Sequence, residues 1–589
     1  MTSLSETRAT AETASPRPEP SVAYFSMEIA LDDTIPGYSG GLGVLAGDHL
    51  RAAADLGLPI VGVTLRYRSG YFRQSLGPHG TQREEPVTWS PETVLERLVD
   101  RATATLSGRP VVLGVWRHWI EGVGGHRVPV LFLDPDLDEN DERDRAIADH
   151  LYPDDPHWRL RQEAVLGLGG AAMLEAMGLS EIPTFHMNEG HSSLLTLALA
   201  DRAARSRSRV GARARRAVQR RCVFTTHTPV PEGHDTFDEA VVRDVLGEPV
   251  ASELRALGEL GGDDRRLNMT TLGMSMSGFV NAVSLRHREV TASMFPSSAI
   301  ASITNGVHAS TWTAPPMGRL FDRLLPGWRA DNTMLRYAWA LPTDQLDEAH
   351  SSAKRALLSL VAQRTGTALD PSVLTLGVAR RATRYKRLDL LVSDPERLRE
   401  IAKRAGPLQI LYAGKAHPAD EGGKAVIRSI YEAAEVLAGE VAVVFLEDYS
   451  MAQAALMCAG SDVWVNTPRK PAEASGTSGM KAALNGVPSL SVLDGWWCEG
   501  DVEGVTGWSI GDDGPESDDA LEAEDLYAKL GSAIVPLFYG DPGRFTKIRR
   551  AAIALNGSFF TSERMVRQYA ALAYRAHDHL EVPPPDTDG

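Results

Sequence analysis

Through the second half of the chain one pattern recurs: a short apolar run, a polar residue at its end, then a longer segment of helical character. The runs are VLTLGVAR (373–380), LQILYAGKA (408–416), VAVVFLEDY (441–449), VWVNTP (463–468) and PSLSVLDG (488–495). Between them stand amphipathic segments such as GGKAVIRSIYEAAEVLAG. Near-continuous apolar strands alternating with helices predict a parallel sheet covered on both faces. The first half shows the same grammar in SVAYFSMEIA, LPIVGVTLRY, IPTFHMNEGH and CVFTTHTP. An α/β chain of two doubly wound domains follows, over 21–330 and 331–575. The rhythm breaks between 315 and 345, where APPMGRLFDRLLPGWRADN marks the boundary. Residues 1–20 and 576–589 read as disordered tails.

In open parallel sheets, ligands sit beyond the carboxyl ends of the strands. Those ends carry Asn188 and His191, Thr226 and His227, Arg380 and Arg381, Lys415 and His417, and Glu447 and Asp448. Each alone is a cap or an ion-pair partner. Their recurrence at one structural position points to a cleft between two facing domains.

Composition narrows the choice. The chain has 589 residues, 43% of them hydrophobic and 23% charged, as in a soluble globular protein. A net charge of −16 disfavours general nucleic-acid affinity. One stretch runs the other way: Arg202 to Arg221 holds nine arginines and no acid. No aromatic residues interleave there for base stacking, so it reads as a solvated helical surface. Cys222, Cys458 and Cys498 have no metal-ligand spacing and offer no disulfide framework, which fits a reducing cytoplasm. No apolar run approaches the ~20 residues of a membrane span.

EASGTSGMKAALNG (473–486) places Lys481 just inside a helix start, where the helix dipole already supplies positive charge. Small residues there bare backbone N–H groups for an anion, and the lysine is placed to hold the anion's carrier. A second glycine-rich turn, YSGGLGVLAGDHL (38–50), contains Gly41-x-Gly43-x-x-Ala46, a weak dinucleotide signature. The next strand ends in Arg66 and not in the acid that grips a ribose, so the turn reads as another anion cradle. With Arg380, Arg381, Lys386 and Arg387 in ARRATRYKRLDLL, more than one phosphate is expected in the cleft.

These residues resemble the α-glucan (glycogen, starch, maltodextrin) phosphorylases that use pyridoxal 5'-phosphate, closest to the shorter bacterial branch. The resemblance runs from about Val22 to Trp497, through YSGGLGVLAGD, HMNEGH, TTHTPVPEGHDTF, ITNGVH, ARRATRYKR, FLEDY and EASGTSGMKAALNG in order. It implies two Rossmann-like domains facing a central cleft, the GT-B arrangement of many glycosyltransferases. It also implies retaining, reversible phosphorolysis of an α-1,4-glucan or short oligosaccharide by inorganic phosphate to α-D-glucose 1-phosphate. Lys481 matches the Schiff-base lysine. The cofactor phosphate is then held around Gly476, Thr477 and Ser478 with Arg380 nearby, and Tyr449 matches a cofactor-side tyrosine. Arg381 and Lys386 match the residues that hold substrate phosphate, with backbone N–H groups of Gly40 and Gly41. Glu473, Ser475, Gly476 and Asn305 match residues on the glucosyl hydroxyls, with Asn188 in the same substrate set. His227 matches the histidine near the sugar's primary hydroxyl, and Leu42 lines the sugar's edge. His49 and His287 are read as structural. A cytoplasmic homo-oligomer, a dimer, is expected.

The chain departs from that pattern in places. Larger members have a histidine beside the glucosyl site where this chain has Gly278. No counterpart appears of regulatory extensions or of a glucan-storage surface, so allosteric control and the acceptor stay open. A retaining nucleotide-sugar glucosyltransferase and a catalytically silent glucan-binding relative are the other readings. The first has no need of Lys481, and the second has no need of Arg381, Lys386 and Lys481 together.

Overall fold

The computed structural model describes residues 19–203, 212–261 and 265–574. The tails expected at 1–20 and 576–589 lie almost wholly outside the described residues, as does the middle of the arginine-rich stretch. Of that stretch, Ala212–Gln219 is a helix with Arg213 and Arg216 exposed.

Two large sheets carry the chain. The parallel strands of the first lie side by side as Arg127–Asp134, Ile60–Leu65, Val22–Phe25, Thr184–Asn188, Cys222–Thr225, Phe279–Ala282 and Ala301–Ser302. Counted in chain order they run 3-2-1-4-5-6-7. The second sheet, parallel throughout, runs Ala442–Leu446, Leu408–Ala413, Leu374–Ala379, Val463–Asn466, Ser489–Val492 and Gly507–Ile510, or 3-2-1-4-5-6. All five strands read from the second half are present. In each sheet the winding reverses once, between Val22–Phe25 and Thr184–Asn188 and between Leu374–Ala379 and Val463–Asn466. Crevices open at such switch points, so the topology nominates two places for a site.

The first sheet is not parallel to its edge. Arg109–Glu121 pairs antiparallel with Arg127–Asp134, and Glu96–Arg97 and Ala102–Leu106 pair antiparallel with Arg109–Glu121. The chain between Glu121 and Arg127 is a tight turn, with Gly122 N–H on His126 O at 2.9 Å and Gly125 at φ +79°. So short a link allows only an antiparallel return.

Two elements tie the sheets together. A hairpin of Ser69–Leu76 and Gln82–Thr88 reaches from the first half to the strand ends of the second. Gln74 donates to Gly414 O at 2.9 Å, Gln82 donates to Ala416 O at 2.9 Å, and Lys415 meets Phe72 O at 2.8 Å. The last helix, Ser562–Tyr569, returns to the first sheet. Its Met565, Val566 and Tyr569 share one buried cluster with Tyr24, Leu45 and Leu50, each large apolar side chain contributing about 1.5–3 kcal/mol. The end of the segment expected as 331–575 thus packs on the first sheet. Among the described residues no helix is long and apolar enough to cross a membrane.

Beneath that returning segment lies a neutral polar network. Tyr574 OH meets His49 Nε2 at 3.0 Å and His186 Nδ1 at 2.8 Å, and His186 Nε2 meets Thr225 Oγ1 at 2.8 Å. Burial pushes His49 down to about 3 and His186 well below the imidazole range. His227, His287 and His350 are also lowered by burial, each to about 4. Against them, His308 is raised by Asp55 and neighbouring carboxylates despite its burial. For His49, His186, His227, His287 and His350 the unfolded chain takes up a proton near pH 6.5 and the folded chain does not. The contribution of these five is therefore full above pH 6.5 and falls below it, while the raised carboxyls of Asp494 and Glu563 act in the opposite direction. One unit below that pH, each such histidine costs about 1.4 kcal/mol. Denaturant unfolding should therefore show a clearly lower midpoint at pH 5.5 than at pH 7.5, and a flat profile would contradict the neutral network.

Candidate functional site

At the switch point of the second sheet, Arg380 follows the first strand and Asn466 ends the fourth. Arg380 Nη2 donates to Asn466 Oδ1 and lies 3.5 Å from Glu473 Oε2. Its Nε and Nη1 are buried and have no hydrogen-bond partner among the described residues. Lys386 Nζ reaches the same Glu473 oxygen at 2.6 Å. Burial would raise the Glu473 carboxyl, but Lys386 and Arg380 hold it below the usual range. Asp494 accepts the Glu473 amide at 2.9 Å, and burial together with the Glu473 charge pushes its carboxyl up to about 7. Arg381 points outward and forms no ion pair among the described residues. A Cβ on Gly40 would meet its side chain at 3.4 Å, so this arginine crosses to the glycine turn of the first half.

Arg387 faces the other way. Its guanidinium binds Thr467 O at 3.0 Å, Pro468 O at 2.7 Å and Asp519 at 2.7 Å, and pairs with Glu522. It fixes the 466–472 loop and is not a phosphate ligand, contrary to the reading of the basic run. Lys415, Glu447 and Asp448 also leave the cleft. Lys415 pairs with Asp448 at 2.7 Å, and Glu447 and Asp448 accept amides of the docked hairpin.

Lys481 lies in the short helix Ser478–Leu484, which follows Gly476 at φ +73°. Its side chain is buried, and Nζ sits 3.6 Å from the centre of the Trp312 ring with no hydrogen bond or ion pair among the described residues. Burial holds this amine below the ordinary lysine range, against the opposing charge of Asp48. Trp312 is fixed in turn, its indole N–H on Asp48 Oδ2 at 2.7 Å. Ser478 accepts Trp464 Nε1 at 3.0 Å, and Tyr449 packs among the buried residues beside the lysine's helix. Ser475 Oγ and Asn305 Oδ1 are buried without partners, whereas Ala474 O is bound by Ser284 Oγ from the first half at 2.6 Å.

The first-sheet switch point presents Glu28, which strand-end reasoning passed over. Its Oε2 accepts the amides of Ser39 at 2.6 Å and Gly40 at 3.2 Å, and Oε1 accepts Tyr152 OH at 2.9 Å. The glycine turn thus already cradles an anion from its own chain, and the Gly40 amide expected for phosphate is engaged. Helix Gly41–Asp55 closes its first bond at Val44, leaving the first-turn amides of Gly41, Leu42 and Gly43 without helical partners. A Cβ on Gly41 would meet nothing within 4 Å, so open space lies beside that amide. Across the sheet, His227 Nε2 bonds Asn188 Oδ1 at 2.7 Å, and the His227 amide bonds Glu189 at 2.6 Å. Held neutral by burial, this imidazole keeps Nδ1 for another partner. Gly278 is elsewhere. It precedes strand Phe279–Ala282, at the amino end of the sheet, and a Cβ there would strike Gln219 O at 2.5 Å. A close approach of backbone requires glycine at this position, and no contact to the cleft is lost.

The geometry is that of an α/β protein with two sheets of parallel strands, each reversing its strand order once, with Glu28 at one reversal and Arg380, Lys386 and Glu473 at the other. A family model described as carbohydrate phosphorylase matches residues 31–104 and 251–501. A maltodextrin phosphorylase of Thermococcus litoralis is 36% identical, over 95% of this chain and 71% of its own. A glycogen phosphorylase of Mycobacterium tuberculosis is 38% identical, over 94% and 70%. One from Aquifex aeolicus is 34% identical, over 93% and 85%. The chain belongs to the carbohydrate phosphorylase family.

The open space beside Gly41 separates folding from binding. Gly41→Ala should leave the unfolding midpoint unchanged or raise it slightly, since Gly→Ala at a compatible backbone position adds about 0.4–1 kcal/mol. The same methyl fills the anion's space, so calorimetry should show inorganic phosphate bound at least tenfold more weakly. Unchanged phosphate affinity would remove Gly41 from the site.

Proposed function

We propose that this chain catalyses the reversible phosphorolysis of an α-1,4-glucan, with retention, to α-D-glucose 1-phosphate. The carrying observation is charge. Arg380 and Lys386 share the carboxylate of Glu473 at the second switch point, Arg381 follows Arg380 toward the Gly40 turn, and Lys481 is a further buried cation on the helix after the fourth strand. Such a surplus calls for anions of high charge.

Pyridoxal 5'-phosphate fits the first of two anion places. Arg380 Nε and Nη1 are buried donors without partners, suited to its phosphate beside Gly476, Thr477 and Ser478. Lys481 is a buried amine with its proton weakened by burial, suited to its aldehyde. Tyr449 packs against the same pocket. When bound, the cofactor supplies a phosphate able to exchange a proton with the substrate phosphate. Arg381 and Lys386 hold that second phosphate, with the Gly41 and Leu42 amides closing the far side. The unpartnered Ser475 Oγ and Asn305 Oδ1, with Glu473, serve the glucosyl hydroxyls. His227, positioned by Asn188, serves the sugar's edge from the first sheet. In this reading the two sheets belong to two domains, 21–330 and 331–575, facing one cleft, with the last helix crossing back. Neither the nucleotide-sugar reading nor the silent relative is favoured, because neither requires a buried, unpartnered Lys481.

Maltooligosaccharides of several lengths should yield α-D-glucose 1-phosphate with inorganic phosphate. Nucleotide-glucose donors should yield nothing. Arg381→Ala and Lys386→Ala should each lower turnover about 10²–10³-fold, the cost of one lost transition-state donor, while keeping the cofactor's near-ultraviolet absorbance. Glucose transfer from a nucleotide donor, with no glucose 1-phosphate from any oligosaccharide, would overturn the proposal.

A further inference from the structure

Away from the cleft, three segments distant in sequence aim one atom each at a common point. Asp55 Oδ2, His308 Nε2 and Glu563 Oε1 lie within 4.8 Å of one another. The side chains are buried, at 6%, 8% and 5% exposure. His308 Nε2 stands 2.8 Å from Asp55 and 3.6 Å from Glu563. Among the described residues Glu563 Oε1 has no hydrogen-bond partner. Two carboxylates thus face one imidazole, and Arg51, one turn back on the helix, is committed to Asp48 at 3.2 Å. Burial pushes the Glu563 carboxyl up to about 7 against the pull of His308, and its unpartnered oxygen is aimed into the cluster.

The surroundings hold each group by its other polar atom. Val123 N–H binds Asp55 Oδ1 at 2.8 Å, Thr311 Oγ1 binds His308 Nδ1 at 2.6 Å, and Ser562 Oγ lies 3.4 Å from Glu563 Oε2. His308 and Glu563 are also locked by backbone. Val307 N–H bonds Phe560 O at 3.0 Å, and Ser562 N–H bonds Val307 O at 2.9 Å. Outer partners that fix orientation in this way are the usual support of a metal ligand set.

We propose that Asp55, His308 and Glu563 bind one divalent transition-metal ion, of the zinc, cobalt or manganese kind, in a structural site. One imidazole nitrogen and two carboxylate oxygens suit such an ion. Ligands about 2.0–2.1 Å from a tetrahedral centre lie about 3.3 Å apart, and the two distances from His308 Nε2 bracket that value. The ion would tie the last helix to the end of helix Gly41–Asp55, whose first turn lines the cleft. It neutralises the second carboxylate and takes no part in the chemistry.

The test uses the full-length protein, treated with a chelator and then titrated with Zn²⁺ or Co²⁺ alone. One ion per chain is expected, with visible absorption from bound Co²⁺ and an unfolding midpoint that rises with metal concentration. Asp55→Asn and Glu563→Gln should each weaken binding at least tenfold. In wild-type crystals soaked in Zn²⁺, an anomalous peak should lie among the three side chains, a readout that does not depend on either variant folding. Absence of that peak, a peak only elsewhere such as at Cys498, or binding unaltered by both substitutions overturns the proposal.

Discussion

The site depends on positive charge buried beyond the means of its surroundings. Arg380 spends one nitrogen on Asn466 and leaves Nε and Nη1 without partners among the described residues, and Lys481 rests on an aromatic face with no ion pair among them, the charge of Asp48 acting only from a distance. Glu473 is shared between Lys386 and Arg380. An arrangement of this kind is costly unless an anion completes it. In a chain of net charge −16, local excess of this sort has to be built by the fold.

Topology does that building. Each sheet reverses its winding once, and each reversal places side chains at the mouth of a crevice: Glu28 and Asn188 on one, Arg380 and Asn466 on the other. The docked hairpin and the returning helix join the two sheets, so the Arg381 side chain lies where a Cβ on Gly40 would meet it. Ser284 binds Ala474 O in the loop that precedes Lys481, and Glu499, in the helix Trp497–Gly500, accepts both Leu285 N–H and Thr304 Oγ1. Positioning of the cations is thus a property of both sheets.

Much of this was legible because it is local. The strand runs of the second half, the arginines after residue 379 and the small residues before Lys481 are periodicities and neighbours along the chain. What escaped is what distance decides. Glu28 lies inside the run SVAYFSMEIA, just past the strand Val22–Phe25 that the run forms, but its partners Ser39, Gly40 and Tyr152 come from a turn and a distant segment. The antiparallel edge went unread, although ATATL at 102–106 alternates buried and exposed as a half-covered strand should. Arg387 belongs to a basic run yet serves loop carbonyls, and Gly278 answers to a backbone approach that no spacing reveals. The trio Asp55, His308 and Glu563 shares no motif at all, since its members meet only after the last helix returns.

The most direct test of the charge argument is where the cofactor attaches. Protein loaded with pyridoxal 5'-phosphate can be reduced with borohydride, digested and mapped by mass spectrometry. A single label on Lys481 is the predicted result, because its buried amine has no ion pair among the described residues and is held below the ordinary lysine range. Stoichiometric label on another lysine, or none on an active protein, would contradict it.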